Sequence, residues 1–393
     1  MKIRVNRSLR VVTAGACVAV LAACGGGGSS TSTSQGTLRV ALTDAPSCGF
    51  DQVKVTVDRV RVHQSASASD TDSGWSEVVL NPPRKIDLLT LTNGVLYNLG
   101  QTALPAGQYQ QVRLVLGSNS GSGTPANSVM PAGGAETALQ TPSGMQSGIK
   151  LNAQFTVEAG QLADLVLDFD ACKSIVQMGN GGYQMKPVIR VVPLMVSGGI
   201  SGMLSTTISG TAVTQASVSA QKNGVVVGAT APDSSGSYTL SPVDARQSPF
   251  DLVITMSGAA TSVVSGVPVT VGATTNVPAI TMSASSAMST VSGSVGPAAA
   301  LPATVRALQA VGSVPAIEAA SRNTDGAGAY SMTLPRSAAQ LATYSPVALS
   351  FSASGTATTA GKYSIEATDV SGNVKTGTAD VASGNATVNF TFP

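Results

Sequence analysis

From Ile149 to Glu158 apolar and polar residues alternate without a break, with Ile149, Leu151, Ala153, Phe155 and Val157 set against Lys150, Asn152, Gln154, Thr156 and Glu158. Successive side chains on a strand point to opposite faces, so this order buries one face and wets the other. Leu38, Val40 and Leu42 follow the same rule, as do Val53, Val55 and Val57 and the stretch 108–116. After Val57 the phase slips at Asp58 and Arg59, and Val60 and Val62 stay on the apolar face only if one extra residue bulges there. Only 11% of residues are charged and 42 are glycine, which fits short strands joined by many turns better than an enzyme of alternating strands and helices. The expectation is an all-β chain of antiparallel β-sandwich domains in tandem.

The N-terminus reads as an address. Lys2, Arg4, Arg7 and Arg10 precede an apolar run, Val11 to Ala23, that is too short to span a bilayer as a mature helix. Leu21, Ala22, Ala23 and Cys24 form a lipobox. Residues 1–23 are therefore expected to be a lipoprotein signal peptide and Cys24 the lipidated residue, which makes the membrane a partner through buried acyl chains at about 0.8 kcal/mol per CH₂. Gly25, where an aspartate would favour inner-membrane retention, points to the outer membrane of a Gram-negative host. Residues 24–36 carry the Cys24 anchor and a Gly/Ser/Thr tether. Removal of the leader leaves 18 basic against 20 acidic residues, so no basic stripe is available for nucleic acid.

Cys17 leaves with the leader and Cys24 takes lipid, so Cys48 and Cys172 remain. In an oxidising envelope compartment they are expected to form a disulfide, contributing roughly 4 kcal/mol in the chain-entropy model; the alternative is two separate buried thiols. Residues 37–196 hold 23 charged residues together with Trp75 and His63, whereas residues 197–393 hold 15. This shift separates a first β domain, 37–196, from two further sandwiches, 197–285 and 286–393. In the latter pair, Ile208-Ser209-Gly210 and Val291-Ser292-Gly293 look alike, and Asp233 to Leu240 matches Asp325 to Met332 at D-x-x-G-x-Y, with spacings of 83 to 92 residues. Asp and Gly suit a tight hairpin turn and the Tyr starts the returning strand.

These two segments resemble carboxypeptidase regulatory-like, prealbumin-type modules, which implies stalks, spacers or binding platforms and no catalytic residue. The first domain carries TDAPSCGFDQVKVTVDRVRVH (43–63), Gly74-Trp75, DLLTL (87–91), LPAGQYQQVRLVL (104–116), SGIKL (147–151), LDFDACKSI (167–175) and KPVIRVV (186–192). In that order they resemble the bacterial lipoprotein family known as domain of unknown function 4382, over about residues 36–194. The resemblance implies an envelope address and an all-β fold, and it brings no established activity.

Candidate chemistry is sparse. Asp164, Asp168 and Asp170 share parity in a strand read as 162–170, so their carboxylates are expected on one face, and Asp44 joins them if the disulfide brings the TDAP turn close. Such a cluster could take Ca²⁺; the plainer alternative is hydrogen bonding and ion pairing, for example to Lys150, Lys186 or Arg190. His63 is the only histidine, and no HExxH, G-x-S-x-G or CxxC occurs. Trp75 and Tyr97 are candidates for stacking on a sugar ring, and the Gly/Ser/Pro/Thr-rich stretch 117–148 is a candidate binding loop. The expected role is a non-catalytic binding or structural module of the envelope, with a glycan or an envelope protein as partner and no obligatory cofactor. The competing readings are an envelope hydrolase using the clustered aspartates and a spacer without a ligand.

Overall fold

The computed structural model describes residues 34–45, 49–120, 123–145, 147–208, 210–285, 287–354 and 359–393. The leader, Cys24, Cys48 and Ser209 lie outside the described residues. What is described is nearly all strand, with helices no longer than four residues, and no described helix is long and apolar enough to cross a membrane.

In the first module the strand Gln35–Asp44 runs antiparallel to Tyr97–Pro105 and parallel to Leu162–Phe169, with Ile189–Pro193 at the edge beyond. The facing sheet is built on Phe50–His63, flanked by Ser76–Asp87 and Gly107–Leu116, with Ile149–Val157 outside the latter. Leu38, Val40 and Leu42 from one sheet meet Val53, Val55, Val57, Val60 and Val62 from the other in a single core. Val60 and Val62 remain inside because the register slips between Val57 and Arg59 against both neighbouring strands, as the phase of the valines demands. Residues 35 and 36, expected at the end of the tether, belong to the first strand. Gln35 and Gly36 already pair with Pro105 and Leu104, and a Cβ on Gly36 would lie 2.3 Å from the Glu158 carbonyl oxygen.

The stretch 117–148 is not a free loop. It contributes the strands Ser128–Pro131 and Thr137–Gln140, the first paired to Phe50–His63. Asn127, fully buried, makes this order stable. Its Oδ1 accepts from Thr56 N at 2.9 Å and its Nδ2 donates to the Gly117 carbonyl at 2.7 Å, satisfying backbone groups that no strand reaches.

A second core gathers Ile200, Val218, Tyr238, Leu252, Val264 and Ile280, and a third gathers Val291, Val305, Tyr330, Ile365 and Phe390. The two D-x-x-G-x-Y segments are the same hairpin. Asp233 Oδ1 accepts from Ser235 N and Ser237 N at 2.8 and 3.0 Å; Asp325 Oδ1 accepts from Ala327 N and Ala329 N at 2.9 and 2.8 Å. Gly236 and Gly328 supply φ of +86° and +84°, which a side chain would strain. A third copy escaped the sequence comparison because Val374 replaces the tyrosine. There Asp369 Oδ1 accepts from Ser371 N and Asn373 N at 2.9 and 2.8 Å, and Gly372 has φ +87°.

The partner of Val291-Ser292-Gly293 is Ile200-Ser201-Gly202, not residues 208–210, which follow the strand Ser197–Thr206. Gly202 pairs with Tyr238 and Gly293 with Tyr330, and each glycine leaves room for the ring beside it. Local likeness misled because a Ser-Gly pair is cheap in a glycine-rich chain, whereas the packing against tyrosine is specific.

The last two modules also share a sheet. Gln340–Thr343, from the C-terminal third, pairs in parallel with Ser262–Val267 of the middle module, and Tyr344, Leu349 and Phe351 pack on the middle core. Residues 34–393 accordingly form one unit.

Candidate functional site

The aspartates are committed to partners one by one. Asp164 receives Arg39 Nε and Nη2 at 2.5 and 2.6 Å, across the parallel register that sets the two residues side by side. Asp168 is buried, and its Oδ2 takes both Arg190 Nη2 at 2.8 Å and Nε at 3.1 Å. Burial raises the Asp168 pKa and Arg190 opposes the rise. Asp170 is not on the strand, which ends at Phe169; it caps the short helix Ala171–Ser174, its Oδ1 accepting from Lys173 N at 3.0 Å. Asp44 Oδ1 accepts from Ala171 N at 3.0 Å while its buried Oδ2 has no partner among the described residues. Burial raises the Asp44 pKa well above the ordinary carboxylate value, and the charges of Asp170 and Asp168 reinforce it.

Parity along the strand thus does not gather Asp44, Asp164, Asp168 and Asp170 into a cation site. Among the described residues no group of three His, Cys, Asp or Glu side chains is arranged to hold a metal ion. The physical reason is that Arg39 and Arg190 lie opposite Asp164 and Asp168 on neighbouring strands, and neutralise them where a cation would have to compete.

Trp75 and Tyr97 are occupied elsewhere. The Trp75 ring lies over the guanidinium carbons of Arg61 and Arg113 at 4.5 and 4.9 Å, and its Nε1 donates to the Ser69 carbonyl at 2.9 Å. Arg61 and Arg113 are cross-strand neighbours, so Trp75 covers a cationic pair on the sheet surface. His63 packs against Trp75 at 5.0 Å between ring centroids and hydrogen-bonds the Ser73 carbonyl oxygen at 3.0 Å through Nε2. Tyr97 packs half-buried against the first core.

What converges instead is a junction of the three modules around Glu318, a residue the sequence did not single out. Glu318 is 7% exposed. Its Oε1 receives Lys173 Nζ of the first module at 2.6 Å, its Oε2 receives Arg306 Nη1 at 3.2 Å, and its backbone N–H and C=O are clasped by the Gln221 side chain of the middle module at 2.8 and 2.9 Å. Arg306 is further held by Glu366 at 2.7 Å and donates to the Gly224 carbonyl at 3.2 Å. Nearby, Arg190 Nη1 donates to the Val226 carbonyl and Lys186 Nζ to Thr304 Oγ1, at 3.0 and 3.1 Å. Beside this network opens a cleft of about 670 Å³, bounded by Gly49, Phe50, Asp170, Cys172 and Lys173 of the first module and by hydroxyl-bearing strands of the other two. The only sequence signal was the isolated glutamate in a strand of small residues, which is indistinguishable from a solvated one until its partners are placed.

Residues 35–187 match the family model described as a domain of unknown function, DUF4382. No curated protein matches the chain. Among solved structures, the TIE protein of Bacillus anthracis is similar at 11% identity and a TM-score of 0.19, over 91% of this chain and 51% of that one. The major pilin subunit BcpA of Bacillus cereus is similar at 10% identity and a TM-score of 0.15, over 91% and 98%. The minor pilin GBS52 of Streptococcus agalactiae is similar at 12% identity and a TM-score of 0.16, over 63% and 95%. The chain spans about half the length of the first of these.

Proposed function

We propose that this chain is a non-catalytic module of the bacterial envelope, anchored through lipid on Cys24 at the outer membrane, that binds an envelope component with its fused three-part body. The observation that carries this reading is the junction at Glu318, where side chains of all three modules spend their charges on one another. An arrangement of that kind holds shape, and the carboxylates a hydrolase would need are tied to Arg39, Arg190 and backbone N–H groups. A disulfide between Cys48 and Cys172 belongs to the same proposal. Cys172 is not a free thiol, and both Ala45 and Gly49, on either side of the Cys48 segment, border the cleft that Cys172 borders.

The test is retention of envelope components by the purified full chain, run beside an Asp168→Asn variant. Capture of a glycan or protein, with no polymer turnover that depends on Asp168, supports the module. Turnover that vanishes in a folded Asp168→Asn variant refutes it.

A further inference from the structure

Arg322 differs from the other guanidiniums near the junction. Arg190 is neutralised by Asp168, and Arg306 by Glu318 and Glu366. Arg322 also borders the cleft, yet its Nη1 donates to the adjacent Ser321 carbonyl at 2.9 Å and no described carboxylate pairs with it. The protein mass around it pulls its pKa below the ordinary arginine value. Arg322 is exposed at the mouth of the cleft, and a guanidinium there without a described counter-charge can take a carboxylate brought in from outside in bidentate fashion.

The rest of the lining narrows what bears that acid group. Ser217, Thr255, Ser331 and Thr333 present hydroxyls, which both donate and accept. At the first-module end Phe50 is half-buried and braced edge-on by Tyr183, with ring centroids 5.8 Å apart. A chain of hydroxyls with a small apolar face and a carboxylate matches these three features together. The cleft volume of about 670 Å³ falls within the range of roughly 300–1,000 Å³ usual for ligand pockets.

We propose that this cleft binds an acidic oligosaccharide, a chain of uronate sugars whose carboxylate pairs with Arg322 and whose apolar face rests on Phe50. The assignment deepens the binding-module reading and rests on it.

Titration calorimetry on the full chain in detergent tests it, using a short galacturonate oligomer, a neutral oligosaccharide of equal length, and inorganic phosphate as competitor. The uronate oligomer binds and the neutral one binds far more weakly. Arg322→Gln weakens the uronate about threefold to fivefold, Arg322→Lys restores part of the loss, and Thr333→Trp, which fills the cleft from an exposed position, abolishes binding. Unchanged melting temperatures show that the variants fold. Uronate binding that is absent from the folded wild-type chain, or unmoved by both Arg322→Gln and Thr333→Trp, overturns the site. In either case capture of an envelope component in the retention assay leaves the module reading standing, and its failure there sinks both. Displacement of the oligomer by an equal concentration of phosphate overturns the sugar assignment in favour of a general anion site.

Discussion

Tyr238 and Tyr330 occupy the same place in two copies of one hairpin, yet removing their hydroxyls should move stability in opposite directions. Tyr238 is fully buried, and its hydroxyl has no hydrogen-bond partner among the described residues; it abuts Gly202, where a Cβ would come within 2.4 Å of the oxygen. Tyr330 donates to the Val388 carbonyl at 2.6 Å. A buried hydroxyl without a partner costs about 1–3 kcal/mol, whereas a made hydrogen bond contributes about 1 kcal/mol net. Tyr238→Phe relieves the first cost and loses only a few dispersion contacts of one oxygen, at about 0.1–0.2 kcal/mol each, for a net gain of about 1 kcal/mol. Tyr330→Phe removes a bond and strands a carbonyl, a loss of about 1–2 kcal/mol. Urea unfolding followed by circular dichroism reads both as midpoint shifts at constant slope. If Tyr238→Phe destabilises by as much as Tyr330→Phe, the Tyr238 hydroxyl is satisfied and the reasoning fails.

Asp168→Asn should cost about 2 kcal/mol by chemical denaturation, below the value for a fully buried pair because Arg190 keeps partial access to water. Gly326→Ala should loosen the contact of the third module with the first, since the new Cβ would lie 2.0 Å from Gly179 N; faster limited proteolysis near residues 179 and 326 reads it, and an unchanged rate argues against a tight interface. Asp44 sets a pH dependence. Its folded pKa is raised, so from about pH 4 upward the unfolded chain ionises this group while the folded one holds the proton. Stability from this residue therefore falls with rising pH until the raised folded pKa is passed. Asp44→Asn should flatten that decline in a pH series of melting temperatures, and an identical slope in both proteins would discount the buried carboxylate. Cys172→Ser should cost about 2–4 kcal/mol, and a thiol count on the unreduced mature chain should find none; two reactive thiols would remove the bridge.

The alternation at 149–158, the phase slip after Val57 and the Asp-and-Gly hairpins were legible because each depends on residues within one strand or turn, where backbone geometry alone dictates the pattern. The aspartates were legible only in part. Their spacing along the chain shows a shared face and Arg190 is a named candidate partner, but only the register sets Arg39 beside Asp164 and Arg190 beside Asp168. The strands within the 117–148 stretch were not legible, because the order there involves Asn127, a buried amide whose value lies in the backbone groups it meets. The module junction could not be read at all. Lys173 and Glu318 are 145 residues apart, and nothing in either local sequence marks them as partners. Local stereochemistry thus settled that the chain would be sheet and where it would turn. The fusion of three cores into one body, the cleft between them and an Arg322 without a carboxylate partner among the described residues were decided by tertiary packing, because desolvation and charge pairing act on whatever the fold brings within a few ångströms.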